Sequence, residues 1–214
     1  MKKIVMIGAG GFGREVLSII RDSKRYTVDC FIDRDKTLHG KMIDGVPVIG
    51  DDSKLKTINR DRGLRACFVA AGDRYLRKSL YDLAKDNGLE CVTIIHSSAY
   101  VPENVHIGEG SVIYPNSSVY PGVTIGKGCL VNSNVTIGHD SEIGNFVNIN
   151  PGANLAGKIK VGDLSFLGIG CAIMENIEIG GGAIIGGQSF VNRHVAARKT
   201  CFGVPAIPKD KRGK

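Results

Sequence analysis

The feature that most constrains this chain is a six-residue repeat in its C-terminal half. From residue 95 to residue 191, every sixth residue is Ile, Val or Leu, at seventeen consecutive positions. A second period of eighteen residues appears in the Ile/Val-Gly pairs that begin at 107, 125, 143, 161 and 179. Three hexapeptides therefore make one coil. This pattern predicts a triangular β-solenoid of roughly five coils, in which each aliphatic side chain points inward and stacks on its copy about 4.8 Å away.

The first 95 residues follow a different pattern, in which strands and helices alternate. Helical spacing predicts helices over 13–21 and 74–87, and apolar runs predict strands over 3–7, 28–33, 66–71 and 91–95, with an edge strand at 45–49. This alternation is typical of a small open α/β domain with a mainly parallel sheet. We therefore predict two domains, 1–95 and 96–208, and a basic tail at 209–214.

Composition excludes several classes of protein. No apolar segment approaches the roughly 20 residues that span a bilayer. The apolar stretch after Lys2 and Lys3 ends at Gly8, too soon for a secretory signal, so we expect a cytoplasmic protein. The six cysteines lie far apart and form no Cys-x-x-Cys pair, which indicates reduced thiols and no metal site.

The net charge of +7 raises the question of nucleic-acid binding. The positive residues are dispersed, whereas a nucleic-acid groove has a basic stripe interleaved with aromatic side chains. We therefore expect no nucleic-acid partner. Small polyphosphate ligands suit the same charge.

A glycine-rich turn at Gly8 to Gly13 follows the first predicted strand and opens a helix, and Asp33 closes the second strand. These are the local elements of the dinucleotide fingerprint: glycines near the phosphates, a helix N-terminus and a carboxylate for the ribose. A full dinucleotide fold has two mononucleotide halves, and here the solenoid begins after one. A single nucleotide diphosphate is thus the better ligand. The alternative is a tight turn without a ligand.

The candidate catalytic pair is His139-Asp140, which interrupts the solenoid pattern two residues after the inward-pointing Ile137. We expect the histidine at a corner, with Pro121 beneath it and Gly157 above it, where the glycine would leave room for a ligand beside the imidazole. A histidine can take a proton at neutral pH, and a neighbouring carboxylate can orient its ring. The alternative is an ordinary surface residue.

With both halves considered, the whole chain resembles the sugar O- and N-acetyltransferases of the sialic-acid O-acetyltransferase-like family. That family includes bacterial enzymes that acetylate UDP-, GDP- or dTDP-linked 4-amino-4,6-dideoxy sugars. The resemblance covers residues 1 to about 208. Its motifs are Gly8 to Gly13 with Arg14, Phe31-Ile32-Asp33, Ala70-Ala71-Gly72-Asp73 with Arg77, His139-Asp140, Pro151-Gly152-Ala153 and Gly203-Val204-Pro205-Ala206.

The resemblance implies a Rossmann-like α/β domain followed by a left-handed parallel β-helix, and a homotrimer with acetyl-CoA in the clefts between subunits. It implies that acetyl-CoA is the cosubstrate, that a nucleotide-linked amino sugar is the acceptor, and that the reaction serves surface-glycan synthesis. The implied catalytic residues are His139 as general base and Asp140 as its support. The implied acceptor-binding residues are Gly10, Gly11, Phe12, Asp33, Arg34, Gly72 and Asn132, and those for acetyl-CoA are Asn148, Gly157, Ile169 and Gly187.

The chain departs from the family pattern at Asn148, where several members have a second histidine. Three alternatives to N-acetylation of a nucleotide amino sugar stay open at this point. They are O-acetylation of a sugar such as sialic acid, a nucleotide-binding structural protein without catalysis, and a nicotinamide-dependent dehydrogenase.

Overall fold

The structure, a computed structural model, describes residues 1–209. The chain divides into two compact units, with the boundary between Ser97 and Ser98. Most of the basic tail predicted at 209–214 lies outside the described residues, since only Lys209 falls within them. None of the helices in this part of the chain is long and apolar enough to cross a bilayer.

The first unit is built on a four-stranded parallel sheet in the order β2 (Tyr26–Ile32), β1 (Lys2–Ile7), β5 (Ala66–Val69) and β6 (Glu90–Cys91). Its middle strand β1 is apolar and fully buried from Ile4 to Met6, as expected for a strand covered on both faces. The elements are β1 Lys2–Ile7, α1 Gly11–Ser23, β2 Tyr26–Ile32, β3 Met42–Ile43, β4 Val46–Pro47, α2 Ile58–Arg62, β5 Ala66–Val69, α3 Arg74–Asp86, β6 Glu90–Cys91 and β7 Ile94–Ile95.

The structure differs from the predicted elements in three places. The segment predicted as an edge strand at 45–49 forms a two-stranded antiparallel hairpin, in which β4 pairs with β3. It meets the main sheet at the bridge between Val48 and Phe31, where the N–H of Ile49 donates to the carbonyl of Phe31 at 3.0 Å. The strand predicted at 91–95 is two short strands, β6 and β7, and only β6 pairs with β5. Helix α2 was not predicted, because its five residues are too few for a helical period.

The second unit is a parallel β-helix whose two-residue strands from His106–Ile107 to Phe190–Val191 pair with strands eighteen residues away. The strands are β8 His106–Ile107, β9 Val112–Ile113, β10 Ser118–Val119, β11 Thr124–Ile125, β12 Leu130–Val131, β13 Thr136–Ile137, β14 Glu142–Ile143, β15 Asn148–Ile149, β16 Asn154–Leu155, β17 Lys160–Val161, β18 Phe166–Leu167, β19 Ala172–Ile173, β20 Glu178–Ile179, β21 Ile184–Ile185, β22 Phe190–Val191, β23 Thr200–Phe202 and β24 Ile207–Pro208. Strands β8 to β23 form three faces: β8-β11-β14-β17-β20, then β9-β12-β15-β18-β21-β23, then β10-β13-β16-β19-β22.

The core of the β-helix is the predicted aliphatic stack. Every sixth residue from Ile113 to Val191 is at most 4% exposed. The small residues two positions earlier are also buried, and their hydroxyl groups are satisfied. Ser117 Oγ, for example, donates to the carbonyl of Asn132 at 2.7 Å. A bridge between Tyr100 and Ser118 shows that the stacking begins before residue 107, within the repeat that starts at residue 95.

Candidate active site

The glycine-rich turn contains two kinds of glycine. A Cβ on Gly8 would collide with the carbonyl of Ala70, and a Cβ on Gly13 would collide with the carbonyl of Gly8. These two glycines are therefore required by the packing of the turn itself. A Cβ on Gly10 or Gly11 would meet nothing within 4 Å. The protein's own packing does not require these two glycines, which leaves close approach of a ligand as a reason for them.

A cavity of about 220 Å³ lies beside this turn and is lined by Gly8, Gly10, Asp33, Arg34 and the ends of β1, β2 and β5. The Asp33 carboxylate accepts hydrogen bonds from the backbone N–H groups of Ala9 at 2.7 Å and Asp35 at 2.8 Å. Asp33 therefore joins the first turn to the segment after β2. Arg34 pairs with Asp52 at 2.7 Å, at the wall of the same cavity.

Two helices begin at this edge of the sheet, and their N-termini differ. At α3, the Asp73 carboxylate caps the helix by accepting from the N–H groups of Tyr75 and Leu76. At α1, the N-cap residue is Gly10, no side chain caps the helix, and the first turn carries no acidic residue. The positive end of the α1 dipole is thus the better position for an anion. Gly72, which precedes Asp73, has no atom within 4 Å of a hypothetical Cβ and does not line the cavity.

The dyad predicted at the corner after β13 is formed. His139 Nδ1 lies 2.9 Å from Asp140 Oδ2. A carboxylate can only accept, so Nδ1 carries the hydrogen and Nε2 has the free lone pair when the ring is neutral. The side chains are 58% and 61% exposed. The arrangement can accept a proton at Nε2 from a group outside the chain.

Glycines in the two neighbouring coils flank this dyad. A Cβ on Gly122, in the preceding coil, would collide with Asp140 Oδ1, and a Cβ on Gly157, in the following coil, would lie 2.6 Å from His139 Nε2. The imidazole thus lies over Gly157, and the room predicted for a ligand beside the ring stays a prediction. Gly122 was missed in the sequence, although a step of eighteen residues back from Asp140 finds it.

The other predicted residues of the β-helix lie elsewhere on the coil. Asn132, Ile169 and Gly187 lie at the corner that precedes the face of β13, one corner away from His139. Ile169 is 60% exposed, and a Cβ on Gly187 would meet its carbonyl at 3.3 Å. Asn148 is buried in β15, on the outward side of another face. One chain therefore does not bring these residues to the dyad.

Within residues 1–209, no three His, Cys, Asp or Glu side chains are grouped closely enough to hold a metal ion.

Two family models match the chain. Residues 3–84 match the PglD N-terminal domain, and residues 104–139 match the bacterial transferase hexapeptide of six repeats. The first covers most of the α/β unit, and the second covers the coils that lead to His139.

Solved structures match over the whole chain. PerB from Caulobacter crescentus in complex with CoA and GDP-perosamine has a TM-score of 0.92 and 33% identity, over 98% of both chains. A mutant of perosamine N-acetyltransferase from the same organism, with the same ligands, has a TM-score of 0.93 and 32% identity, over 99% of this chain and 98% of the other. The acetyltransferase domain of PglB from Neisseria gonorrhoeae FA1090, in complex with acetyl coenzyme A, has a TM-score of 0.88 and 29% identity, over 97% of this chain and 99% of the other.

The fold, the corner dyad and these likenesses define an acetyl-CoA-dependent acetyltransferase built on a left-handed parallel β-helix. The chain belongs to the family of nucleotide-amino-sugar N-acetyltransferases. The predictions of family, fold and enzyme class are confirmed, and the roles of individual site residues stay predictions.

Proposed function

We propose that this enzyme transfers the acetyl group of acetyl-CoA directly to the amino group of a nucleotide-linked 4-amino-4,6-dideoxy sugar, with His139 as general base. The observation that carries the proposal is the 2.9 Å contact between His139 Nδ1 and Asp140 Oδ2 at an exposed corner. This contact leaves Nε2 with a lone pair directed at the surroundings, where a proton-shedding amine can reach it.

The chemistry at this corner is an acyl transfer. The amine nitrogen attacks the thioester carbonyl, a C–N bond forms, and the C–S bond breaks to release CoA as a thiolate. The proton that the amine sheds goes to His139 Nε2, and the thiolate or solvent then receives it. A well-placed general base typically contributes about 10² to 10⁴ in rate. Asp140 holds the ring in the productive tautomer.

The α/β unit is the proposed site for the nucleotide of the acceptor. The open N-terminus of α1 and the side-chain-free surface of Gly10 and Gly11 suit a diphosphate. The cavity bounded by Asp33 and Arg34 lies beside them. Because two relatives were solved with GDP-perosamine, that compound is the first acceptor to test.

A homotrimer is part of the proposal. Asn132 and His139 lie at opposite ends of the side of the coil that holds β13, on the order of 15 to 20 Å apart along an extended chain. An acceptor amine must lie within hydrogen-bond reach of its base. If Asn132 faces that amine, it must therefore come from a second copy of the chain.

The experiment that tests the function is a thiol-release assay with acetyl-CoA and a panel of acceptors. The panel contains GDP-perosamine, UDP- and dTDP-linked 4-amino-4,6-dideoxy sugars, and free sialic acid. We expect turnover with one nucleotide-linked amino sugar and an N-acetylated product by mass spectrometry. Turnover with sialic acid alone would replace the proposal with O-acetylation, and no turnover with any acceptor would contradict it.

We predict that His139→Ala lowers kcat by about 10² or more with little change in the affinity for acetyl-CoA. The matched control is His106→Ala, which removes an exposed histidine from another face of the β-helix. Steady-state kinetics of the two variants measures the difference. A His139→Ala enzyme with near-normal turnover would remove this residue from the mechanism.

A further inference from the structure

Gly157 lies one coil after His139, at the same corner of the β-helix. A carbon added at its Cβ position would lie 2.6 Å from His139 Nε2 and 2.9 Å from both Cδ2 and Cε1. Real Cβ atoms essentially never approach other atoms to less than 3.0 Å. Any side chain at residue 157 would therefore push the imidazole away.

The three distances also give the orientation of the ring. They are equal for the two carbons bonded to Nε2 and only slightly longer than the distance to Nε2 itself. A point in the ring plane beyond Nε2 would be much farther from both carbons. The added carbon is thus over the face of the ring, which means that the imidazole lies flat on the glycine. Its in-plane lone pair at Nε2 stays open at the edge.

Gly157 does not need to be glycine for reasons of backbone conformation. Its φ is not among the positive values, whereas the next residue, Lys158, takes the left-handed turn of this corner with φ +59°. The turn itself would accept an alanine. The three atoms nearest to a side-chain carbon at this position all belong to the His139 ring.

We infer that Gly157 is a positioning residue, whose missing side chain lets the His139 imidazole lie flat over the next coil with Nε2 directed outward. Two contacts then fix the ring: the Asp140 carboxylate at Nδ1 and the backbone of Gly157 beneath Nε2. This inference rests on the proposed role of His139 and adds to it the means by which the base is oriented.

The chain offers a matched control. Gly181 occupies the equivalent position of another corner, also directly before the left-handed residue of its turn, which is Gly182. A Cβ on Gly181 would meet only backbone, the nearest atom being the carbonyl oxygen of Asp163 at 3.3 Å. Gly181→Ala therefore repeats the backbone change of Gly157→Ala without displacing an imidazole.

The test compares Gly157→Ala, Gly181→Ala, His139→Ala and the double variant Gly157→Ala/His139→Ala. The readouts are kcat, KM for acetyl-CoA, the melting temperature and the NMR signals of imidazoles labelled with ¹³C. The five histidines of the chain make the His139 signal assignable by its loss in His139→Ala.

We expect Gly157→Ala to shift the His139 signal and to lower kcat by about 10- to 100-fold, because small misplacements of a catalytic group have effects of that size. KM for acetyl-CoA should change by less than about twofold. Gly181→Ala should behave as wild type. On the His139→Ala background, Gly157→Ala should cause no further loss, because the ring that it displaces is gone.

An unchanged His139 signal and unchanged kcat in Gly157→Ala would overturn the inference. So would a higher KM for acetyl-CoA at unchanged kcat, which would mean that residue 157 acts through the cosubstrate. Full activity of His139→Ala would instead overturn the proposed general base, while the NMR comparison would still report whether Gly157 sets the position of the ring.

Discussion

At the scale of single residues, Asp140 acts on His139 by orienting its ring more than by stabilising the fold through an ion pair. Both side chains are more than half exposed, so solvent screens their attraction and the pair adds little stability. The Asp140 carboxylate instead selects the tautomer, since it accepts the hydrogen of Nδ1. Asp140 adopts the left-handed conformation, with φ +57°, and the adjacent Gly122 leaves space for its carboxylate.

We predict that Asp140→Asn lowers kcat by about 10-fold or more, with KM for both substrates nearly unchanged. An amide can pair with Nδ1 in either tautomer, so part of the enzyme would hold the ring with Nε2 protonated and unable to act as a base. Asp140→Glu keeps the carboxylate and should lose less activity. Equal kcat values for Asp140→Asn and wild type would show that the carboxylate does not orient the ring.

The cysteines allow a prediction that follows from burial. All six are buried, and burial raises the pKa of the Cys30 thiol to about 11 and that of the Cys171 thiol to about 12. Since the thiolate is the reactive form, both thiols are almost wholly protonated at pH 8. We expect native enzyme to react negligibly with a chromogenic disulfide reagent and denatured enzyme to show six thiols. Rapid labelling of native enzyme would contradict this expectation.

At the scale of elements, the connection between β5 and α3 contains a buried arginine. Arg77 is 1% exposed, and its Nη1 donates to the carbonyls of Ala71 at 2.7 Å and Gly72 at 3.2 Å. Ala70 and Ala71 form part of the cavity proposed for the nucleotide. The guanidinium thus holds the end of β5 in the position that shapes this cavity.

We predict that Arg77→Met lowers the free energy of unfolding by about 1 to 3 kcal/mol or more, because carbonyls at a buried site lose a charged donor. The same change should raise KM for the acceptor but leave KM for acetyl-CoA near its wild-type value. Lys78→Met is the control on the same helix, since Lys78 is exposed and pairs with Asp82, which is also exposed. Denaturant unfolding and kinetics measure both effects. Equal acceptor KM values in the two variants would show that Arg77 does not shape the cavity for acceptor binding.

At the scale of the whole molecule, the predicted site residues occupy different corners of one β-helix, and a second copy would complete the site. Mixing variants tests this directly. We predict that His139→Ala and Asn132→Ala are each inactive alone, and that each mixed trimer formed on co-expression regains activity at about one third of its sites, which is about a quarter of all sites when equal amounts of the two variants assemble at random. Each such site would combine an intact His139 from one subunit with an intact Asn132 from another. No recovery in mixed trimers would place both residues in the same chain's site.

The sequence by itself determined the β-helix in detail. The inward residues, the small residues beside them and the eighteen-residue coil all follow from spacing, because each coil repeats the environment of the one before it. The same eighteen-residue spacing predicted that Gly157 lies over His139 in the next coil. The parallel sheet of the first unit also followed from its apolar runs, such as residues 3–7, since a strand that is buried on both faces consists almost entirely of apolar residues.

Only the tertiary structure decided the features that do not repeat. The division of 90–95 into two strands, and the hairpin of β3 and β4, depend on which neighbour each segment meets. The Asp33 carboxylate was predicted to bind a ribose, and in the fold it also accepts hydrogen bonds from two backbone N–H groups. The spacing placed Gly157 next to His139, but only the rotamer of the histidine showed that its ring lies against this glycine. Spacing along a chain specifies which residues are neighbours, whereas side-chain orientation is set by contacts in three dimensions.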